Sequence, residues 1–266
     1  GAAFSAHGLV LLAKAAVQVG EYPSSFYTVA HAAVPRYTVL IDLAVALKCF
    51  GVATGYLITV ADCMIDALDH VLLPDGGEPS AFATKLLLSR RFWVAGAALG
   101  ELPVSFYRSF DKLKHASAAA LGFVFLLAAG IVAYANGRAG DPCEGYDPDQ
   151  NNGRPCVGEI VAFTDVPTSA SKLPIFIFAF TCQQNIFPIV NEIQTRSVSR
   201  VSAVCVVAIG FAMGIFLVVA MEGYLTYGDS VKGDILLNYP EDGKVTFMRV
   251  CIAIMLMLHY PLQLDP

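Results

Sequence analysis

The stretch Leu173 to Glu192, LPIFIFAFTCQQNIFPIVNE, decides how the rest of this chain is interpreted. Pro174 suits the first turn of a helix, where its missing N–H would have no partner in any case, and an apolar run follows it. Five residues, 181–185, then break that run, and Pro188 comes soon after them. A helix with polar groups at its midpoint must, inside a bilayer, satisfy them against neighbouring helices or line a cavity. We expect this stretch to line a binding site; polar residues that only hold helices together are the alternative.

The composition is that of a membrane protein. Of the 266 residues, 56% are hydrophobic and only 15% are charged, whereas soluble domains carry about 25% charged residues. Lys and Arg total 17 against 22 acidic residues, and no basic stripe occurs, so a nucleic-acid partner is not expected. The chain starts with Gly1 and ends at Pro266 inside an apolar run, so we interpret it as a fragment.

Seven apolar segments approach the roughly 20 residues that a transmembrane helix needs. They are 4–20, 38–61, 92–107, 116–135, 173–192, 201–221 and 247–266. None of them alternates as a barrel strand would. The sequence therefore predicts an all-α membrane protein, a multi-pass helical bundle in which residues 1–266 form a single transmembrane domain.

The linkers between these segments differ in charge. Those after the first, third and fifth segments are short and basic, whereas residues 136–172 and 222–246 are longer and acidic. Positively charged linkers stay in the cytosol, so residues 136–172 are predicted to form a luminal or extracellular loop. The first visible segment then enters from that side. One further helix is expected before it.

The loop 136–172 contains Cys143 and Cys156 among turn-forming residues. Two cysteines in an oxidising compartment are expected to pair, and two free thiols are the alternative. A pairing would close a short loop, which in the chain-entropy model is worth roughly 3 kcal/mol.

Motifs for enzymatic or metal chemistry do not occur. There is no nucleophile elbow, zinc-protease motif or phosphate-binding loop, so neither an enzyme nor a cofactor is expected. Asp147, Asp149 and Asn151 resemble the start of a calcium loop. Asn152 replaces the glycine of the sharp turn, however, and Gly158 replaces the bidentate glutamate. No metal site is predicted.

A stripe of small and polar residues runs along the second segment. At 100° per residue, its members share one face: Lys48, Gly51, Gly55, Thr59 and Asp62. The glycines form a Gly-x-x-x-Gly pair that permits close approach of another helix. This face is therefore predicted to look into the bundle.

Lys48 lies too deep in this segment to face lipid comfortably. We expect it to pair with helix-end carbonyls or with a carboxylate, for which Glu101 is a candidate. Snorkelling of the side chain to the cytosolic interface is the alternative.

Five stretches, taken in order, resemble the amino acid/auxin permease family, and its vacuolar amino acid transporter branch in particular. They are KCFGVATGYLITVADCM (48–64), LPVSFYRSFDKLKHASA (102–118), FIFAFTCQQNIFPIVNEI (176–193), EGYLTYGDSVKGDILLNYP (222–240) and YPLQLDP (260–266). The resemblance implies an eleven-helix LeuT-type fold of the APC superfamily. This chain would then supply family helices two to eight and would be a fragment that lacks the first and last helices.

In this family, helices one and six are broken at the membrane centre and clasp the carboxylate and amino groups of an amino acid. The resemblance places the helix-six half of that site at Phe180, Thr181, Cys182, Gln183, Gln184 and Asn185. It implies secondary active transport of amino acids, neutral ones, by alternating access. A sensor that binds amino acids with little transport is the alternative, and a channel is disfavoured because no pore-like ring of residues occurs. The expected partners are the amino acid substrate and the lipid bilayer.

The resemblance also bears on the coupling ion. In sodium-coupled relatives, a Thr on helix eight, just before a proline, helps to bind the ion; here His259 stands in that place before Tyr260 and Pro261. Imidazoles exchange protons near neutral pH and are poor ligands for sodium. We therefore expect proton coupling at a vacuolar or lysosomal membrane, with sodium symport as the alternative. His259 is a candidate proton relay or only hydrogen-bonds within the bundle. Many relatives carry His at Gln183, so no proton role is expected there.

Overall fold

The computed structural model describes residues 1–72, 82–105, 110–146, 155–163 and 165–264, and in these ranges the chain forms ten α-helices and no strand. The helices are α1 (Ala2–Val19), α2 (Phe26–Ala33), α3 (Thr38–Leu72), α4 (Phe82–Leu87), α5 (Arg90–Ser105), α6 (Phe110–Ala135), α7 (Val166–Ala179), α8 (Ile186–Glu192), α9 (Val198–Tyr227) and α10 (Gly243–Leu264).

Six stretches of these helices are long and apolar enough to cross a membrane. They are Ala2–Val19, Pro35–Leu72, Ser117–Ala135, Val166–Glu192, Val198–Ser230 and Gly243–Gln263. They correspond to six of the seven predicted segments, which confirms the all-α multi-pass class. The remaining segment forms α5, which has only 16 residues, and Tyr107 at its predicted end lies outside the described residues.

Helix α3 is longer than predicted. The predicted segment ended at Ala61, but the helix continues to Leu72. Arg90 forms an ion pair with Asp62 at 2.8 Å, so the charge is accommodated without ending the helix. At 1.5 Å per residue, its 35 residues exceed the roughly 30 Å of a bilayer core.

The chain divides into two compact units. The first comprises Gly1–Ala53, Phe163–Phe216 and Leu262–Pro266, and the second comprises Thr54–Ala162 and Leu217–Pro261.

The core of the first unit is formed by α1, α2, α8 and α9. Its buried residues are Leu9, Ala13, Ala16, Val29, Ile186, Phe187, Val190, Val201, Cys205 and Ile209. Ala13 and Ala16 are completely buried, and such small residues let two helix backbones approach closely. Helix α8 is thus the buried half of the stretch on which the sequence analysis centred, while α7 contributes no buried residue.

Three tyrosines form the centre of the second unit. The ring of Tyr239 lies 4.7 Å from that of Tyr134 and 5.4 Å from that of Tyr227. Tyr134 belongs to α6, Tyr227 ends α9, and Tyr239 lies in the linker before α10. The cluster therefore joins these helices to that linker.

The two acidic linkers are hydrogen-bonded to each other in this unit. The Gly158 N–H donates to the carbonyl oxygen of Tyr227 at 2.9 Å, and the Asp229 N–H donates to that of Glu159 at 3.0 Å. Cys143 and Cys156 are joined by a disulfide with Cα atoms 6.0 Å apart. Both linkers therefore lie at the same end of the unit.

Two glycines permit this pairing. A Cβ on Gly158 would lie 2.8 Å from the backbone nitrogen of Ser230. Gly228 has φ +58, and a Cβ there would lie 2.8 Å from the carbonyl oxygen of Glu159. Gly158, which ruled out a calcium loop in the sequence, is thus required by the close approach of two backbones. Asp147, Asp149, Asn151 and Asn152 lie outside the described residues.

Candidate functional site

The helix of the stretch Leu173 to Glu192 is interrupted at the place that the resemblance predicts. Helix α7 ends at Ala179, α8 begins at Ile186, and the residues between them include a single 3-10 turn at Gln183–Asn185. In a continuous helix, Pro188 would lose the bond to the Gln184 carbonyl and its ring would clash there. Starting a new helix at Ile186 puts the proline in a first turn, where its missing N–H has no cost.

Ser5 of α1 supports the interruption. Its hydroxyl donates to the carbonyl oxygen of Phe180, and Nε2 of Gln183 donates to Ser5 Oγ at 3.1 Å. Ser5 is buried, and the Gln183 Oε1 accepts no hydrogen bond from the described residues. Since buried acceptors normally have a donor, Gln183 presents an acceptor that a ligand can use. The sequence analysis missed Ser5; a hydroxyl in an apolar helix was its only signal.

Gln184 connects three parts of the first unit. Its Oε1 accepts a hydrogen bond from Nζ of Lys48 on α3, and its Nε2 donates to Oε1 of Gln263 on α10 at 2.9 Å. Gln184 and Gln263 are both buried. Lys48 thus pairs with a side-chain amide, whereas the sequence analysis expected helix-end carbonyls or a carboxylate. The carboxylate considered there, Glu101, belongs to the second unit.

The other predicted residues at the interruption are half-buried. The Thr181 hydroxyl donates to the carbonyl oxygen of Ile177 at 2.8 Å. Asn185 precedes α8 but does not cap it with its side chain. Cys182 packs against the core of the first unit. The six predicted residues, 180–185, therefore all lie between the two α-helices, and the last three of them form the 3-10 turn.

The C-terminal end of α8 is fixed by hydrogen bonds at Asn191. Asn191 Oδ1 accepts from the Ser24 N–H at 2.7 Å, and Asn191 Nδ2 donates to the Ser24 carbonyl oxygen at 2.9 Å. The Arg196 guanidinium donates to the Asn191 carbonyl oxygen at 2.9 Å and lies 4.2 Å over the ring of Tyr22. These contacts satisfy helix-end carbonyls and fix the distal side of the interruption.

The predicted stripe of α3 is not the face through which this helix packs. Gly51, Gly55 and Thr59 are exposed, and no atom of another described element lies within 4 Å of a Cβ built on either glycine. The buried residues of this helix are small and mostly apolar: Thr38, Cys49, Ala53, Val60, Ala61, Cys63 and Ala67. At 100° per residue most of them share a neighbouring face. This face packs because alanine and cysteine side chains bury apolar surface, whereas glycine has no side chain to bury.

His259 lies on α10 in the second unit and is half-buried. Its Nδ1 is 3.2 Å from the carbonyl oxygen of Met255, one turn earlier. Because a carbonyl oxygen only accepts, this contact is a hydrogen bond in the tautomer that carries the proton on Nδ1.

A polar interruption inside a membrane span of a multi-pass helical protein is typical of membrane transport proteins. The comparison with known sequences agrees: the chain belongs to the family described as transmembrane amino acid transporter protein, which matches residues 2–266. Members of this family are transporters and not enzymes.

Individual relatives are similar over nearly the whole chain. Vacuolar amino acid transporter 5 of Schizosaccharomyces pombe is 31% identical over 264 residues, which cover 97% of this chain and 57% of the relative. For vacuolar amino acid transporter 6 of Saccharomyces cerevisiae the identity is 28%, with coverage of 97% and 54%. For sodium-coupled neutral amino acid transporter 7 of Homo sapiens it is 27%, with coverage of 97% and 53%. The chain thus spans about half the length of these relatives. No solved structure matches it.

Proposed function

We propose that the protein of which this chain is part moves neutral amino acids across a membrane by secondary active transport with alternating access. The observation that carries the proposal is the interruption between α7 and α8, where six consecutive residues, 180–185, leave the helix inside a candidate span. Non-helical backbone at membrane depth is tolerated where it is buried in protein or lines a cavity.

The chemistry of the interruption suits an amino acid. Gln183 supplies an amide oxygen and Thr181 a hydroxyl oxygen that can accept from an ammonium group, because the Thr181 proton is already donated to Ile177. Asn185 supplies amide donors for a carboxylate. The family relationship supports the same substrate class. The buried Ser5 and Gln184 act as positioning residues because they hold the interruption through Phe180, Gln183 and Lys48.

For the driving ion we propose the proton, with His259 as one relay candidate. The resemblance places His259 at the position of the Thr that helps sodium-coupled relatives to bind the ion. The relatives named as vacuolar transporters support a vacuolar or lysosomal membrane. Sodium coupling is the second candidate, supported by the relative named as sodium-coupled.

The test is uptake of labelled amino acids into proteoliposomes that contain the full-length protein. Saturable, gradient-driven accumulation is expected. Binding without flux would replace the transporter by an amino acid sensor, and the absence of both would overturn the proposal.

A further inference from the structure

Arg249 is a buried cation with unused hydrogen-bond donors. It lies on α10 in the second unit and is 3% exposed. One terminal nitrogen donates to the carbonyl oxygen of Leu236 at 3.3 Å, and Nε is 4.0 Å from Oδ2 of Asp66. Neither Nε nor Nη1 donates a hydrogen bond to any residue in the described ranges. Leaving the donors of a buried guanidinium unpaired is costly, which points to an acceptor that arrives from outside.

A cavity of about 560 Å³ opens beside Arg249. Both acidic linkers line it, and its charged residues are Glu144, Lys232, Glu241, Asp242 and Arg249. The volume is in the range of sites for small molecules. The cavity lies where the disulfide-closed linker and the linker before α10 meet, at the end of the unit predicted to face the lumen or the exterior.

The charges in this cavity are not all committed to the fold. Asp242 is occupied, because its carboxylate accepts from the Tyr134 hydroxyl and from the N–H groups of Lys244 and Val245. Glu144 and Glu241 are exposed. The cavity therefore presents the Arg249 guanidinium and two exposed carboxylates, together with the exposed Lys232, whose ammonium group donates to the Leu237 carbonyl oxygen.

We propose that this cavity binds a free α-amino acid, whose carboxylate pairs with Arg249 and whose ammonium group pairs with Glu144 and Glu241. An arginine forms two parallel hydrogen bonds with a carboxylate, which Lys cannot reproduce. A ligand with a single charge can pair either with Arg249 or with the two glutamates, but not with both. The choice of an amino acid among zwitterions rests on the proposed function. The cavity is then an additional amino acid site, in the unit that does not contain residues 180–185.

The experiment uses the full-length protein in nanodiscs and a thiol placed in the cavity. Leu237 lines the cavity and is exposed, so Leu237→Cys provides a label site; Val231 is exposed on the same linker but does not line it, so Val231→Cys is the matched control. The rate of labelling by a charged maleimide is measured at each site by mass spectrometry. The probes are L-alanine, propionate and propylamine.

We expect alanine to slow labelling of the Leu237→Cys protein several-fold, propionate to slow it less, propylamine to have little effect, and the Val231→Cys protein to be unaffected. Arg249→Lys is expected to raise the alanine concentration needed for protection about tenfold or more, because the paired hydrogen bonds are lost. Glu241→Gln, at an exposed position, weakens protection by alanine but not by propionate. If the Arg249→Lys protein does not fold, the Glu241→Gln protein still tests the proposal.

Three results would overturn this inference. They are no protection by alanine, equal slowing at both label sites, and protection by propylamine equal to that by propionate. The assay is repeated in a Thr181→Leu/Asn185→Leu background, which separates it from the transport proposal. Protection that persists without uptake refutes only transport, and uptake without protection refutes only the cavity site.

Discussion

The side chains of Gln184 and Gln263 are joined by a 2.9 Å hydrogen bond between two buried amides. Gln184 lies in the interruption between α7 and α8, and Gln263 lies near the end of α10. The same Gln184 accepts a hydrogen bond from Lys48. A single amide thus satisfies the half-buried Lys48 and the buried Gln263, which ties the interruption to two other helices. Such networks cost more when half-satisfied than when removed altogether.

This network is tested by a double-mutant cycle at Lys48 and Gln184. Gln184→Leu leaves the Lys48 ammonium group without its amide partner, so the free energy of unfolding is expected to fall by about 1–3 kcal/mol. Lys48→Met in the same background removes that cation and should recover part of the loss. The measurement is thermal unfolding of the solubilised protein. Purely additive effects would show that the two side chains do not interact.

The polar groups of the interruption are tested by Thr181→Leu and Asn185→Leu. Each is expected to lower uptake about tenfold, the loss that follows when one hydrogen bond to a charged ligand group disappears. Membrane insertion should be unchanged. Ser171→Leu is the matched control, because its hydroxyl also donates to a carbonyl on the preceding turn of α7. If both variants keep the wild-type apparent affinity, these residues only hold helices together.

Gly158 is expected to tolerate no side chain. In Gly158→Ala, the Cβ would meet the Ser230 amide nitrogen at 2.8 Å, so the two linkers must separate. Overpacking of this kind costs about 1–3 kcal/mol, which would appear as a lower melting temperature. Gly233→Ala, in the same linker as Ser230, is the control, since nothing lies within 4 Å of its built Cβ. Equal melting temperatures for the two variants would contradict the tight linker pairing.

Asp242 is expected to stabilise the start of α10 in a pH-dependent way. Burial raises the pKa of its carboxyl, but hydrogen bonds from Val245 and Tyr134, with the nearby Lys244, outweigh it and lower the pKa overall. The stabilisation is therefore complete above the ordinary carboxyl pKa of 3.8 and is lost as the pH falls through the lower native value.

Asp242→Ala removes the acceptor of two helix N–H groups and is expected to cost about 1–2 kcal/mol near neutral pH. Thermal unfolding measured from neutral to acidic pH checks this. The wild type and the variant should converge at the acidic end. Glu241→Ala, which removes an exposed carboxylate next to it, should change little; a constant gap across the pH range would exclude the carboxylate as the cause.

The coupling ion is tested by imposing a pH gradient on proteoliposomes with sodium replaced by choline. Uptake is expected to persist and to follow the pH gradient. His259→Gln is expected to reduce this proton-driven uptake, because the amide of Gln cannot relay a proton as an imidazole can. Uptake that requires sodium and ignores the pH gradient would refute proton coupling, while unchanged proton-driven uptake in the variant would remove His259 from the relay.

Sequence alone determined the class of this protein. Hydropathy over about 20 residues reports how a segment partitions between water and lipid, which is a local property. The break of the central helix was expected only from the resemblance to a transporter family, because the residues themselves show polar groups within an apolar run, and Gln is a good helix former. A proline does not decide the matter either, since Pro174 and Pro261 lie inside α7 and α10. The charge of each linker can likewise be counted from the sequence without knowledge of the fold.

Only the tertiary structure decided which polar groups meet. The bond from Lys48 to Gln184 joins residues separated by 136 positions, and that from Gln184 to Gln263 spans 79. Whether α3 presents its glycines or its alanines to a neighbour depends on the rotation of the helix about its axis, which packing sets and hydropathy does not. The cavity at Arg249 likewise exists only because two linkers distant in sequence pair through Gly158 and close around one end of α10.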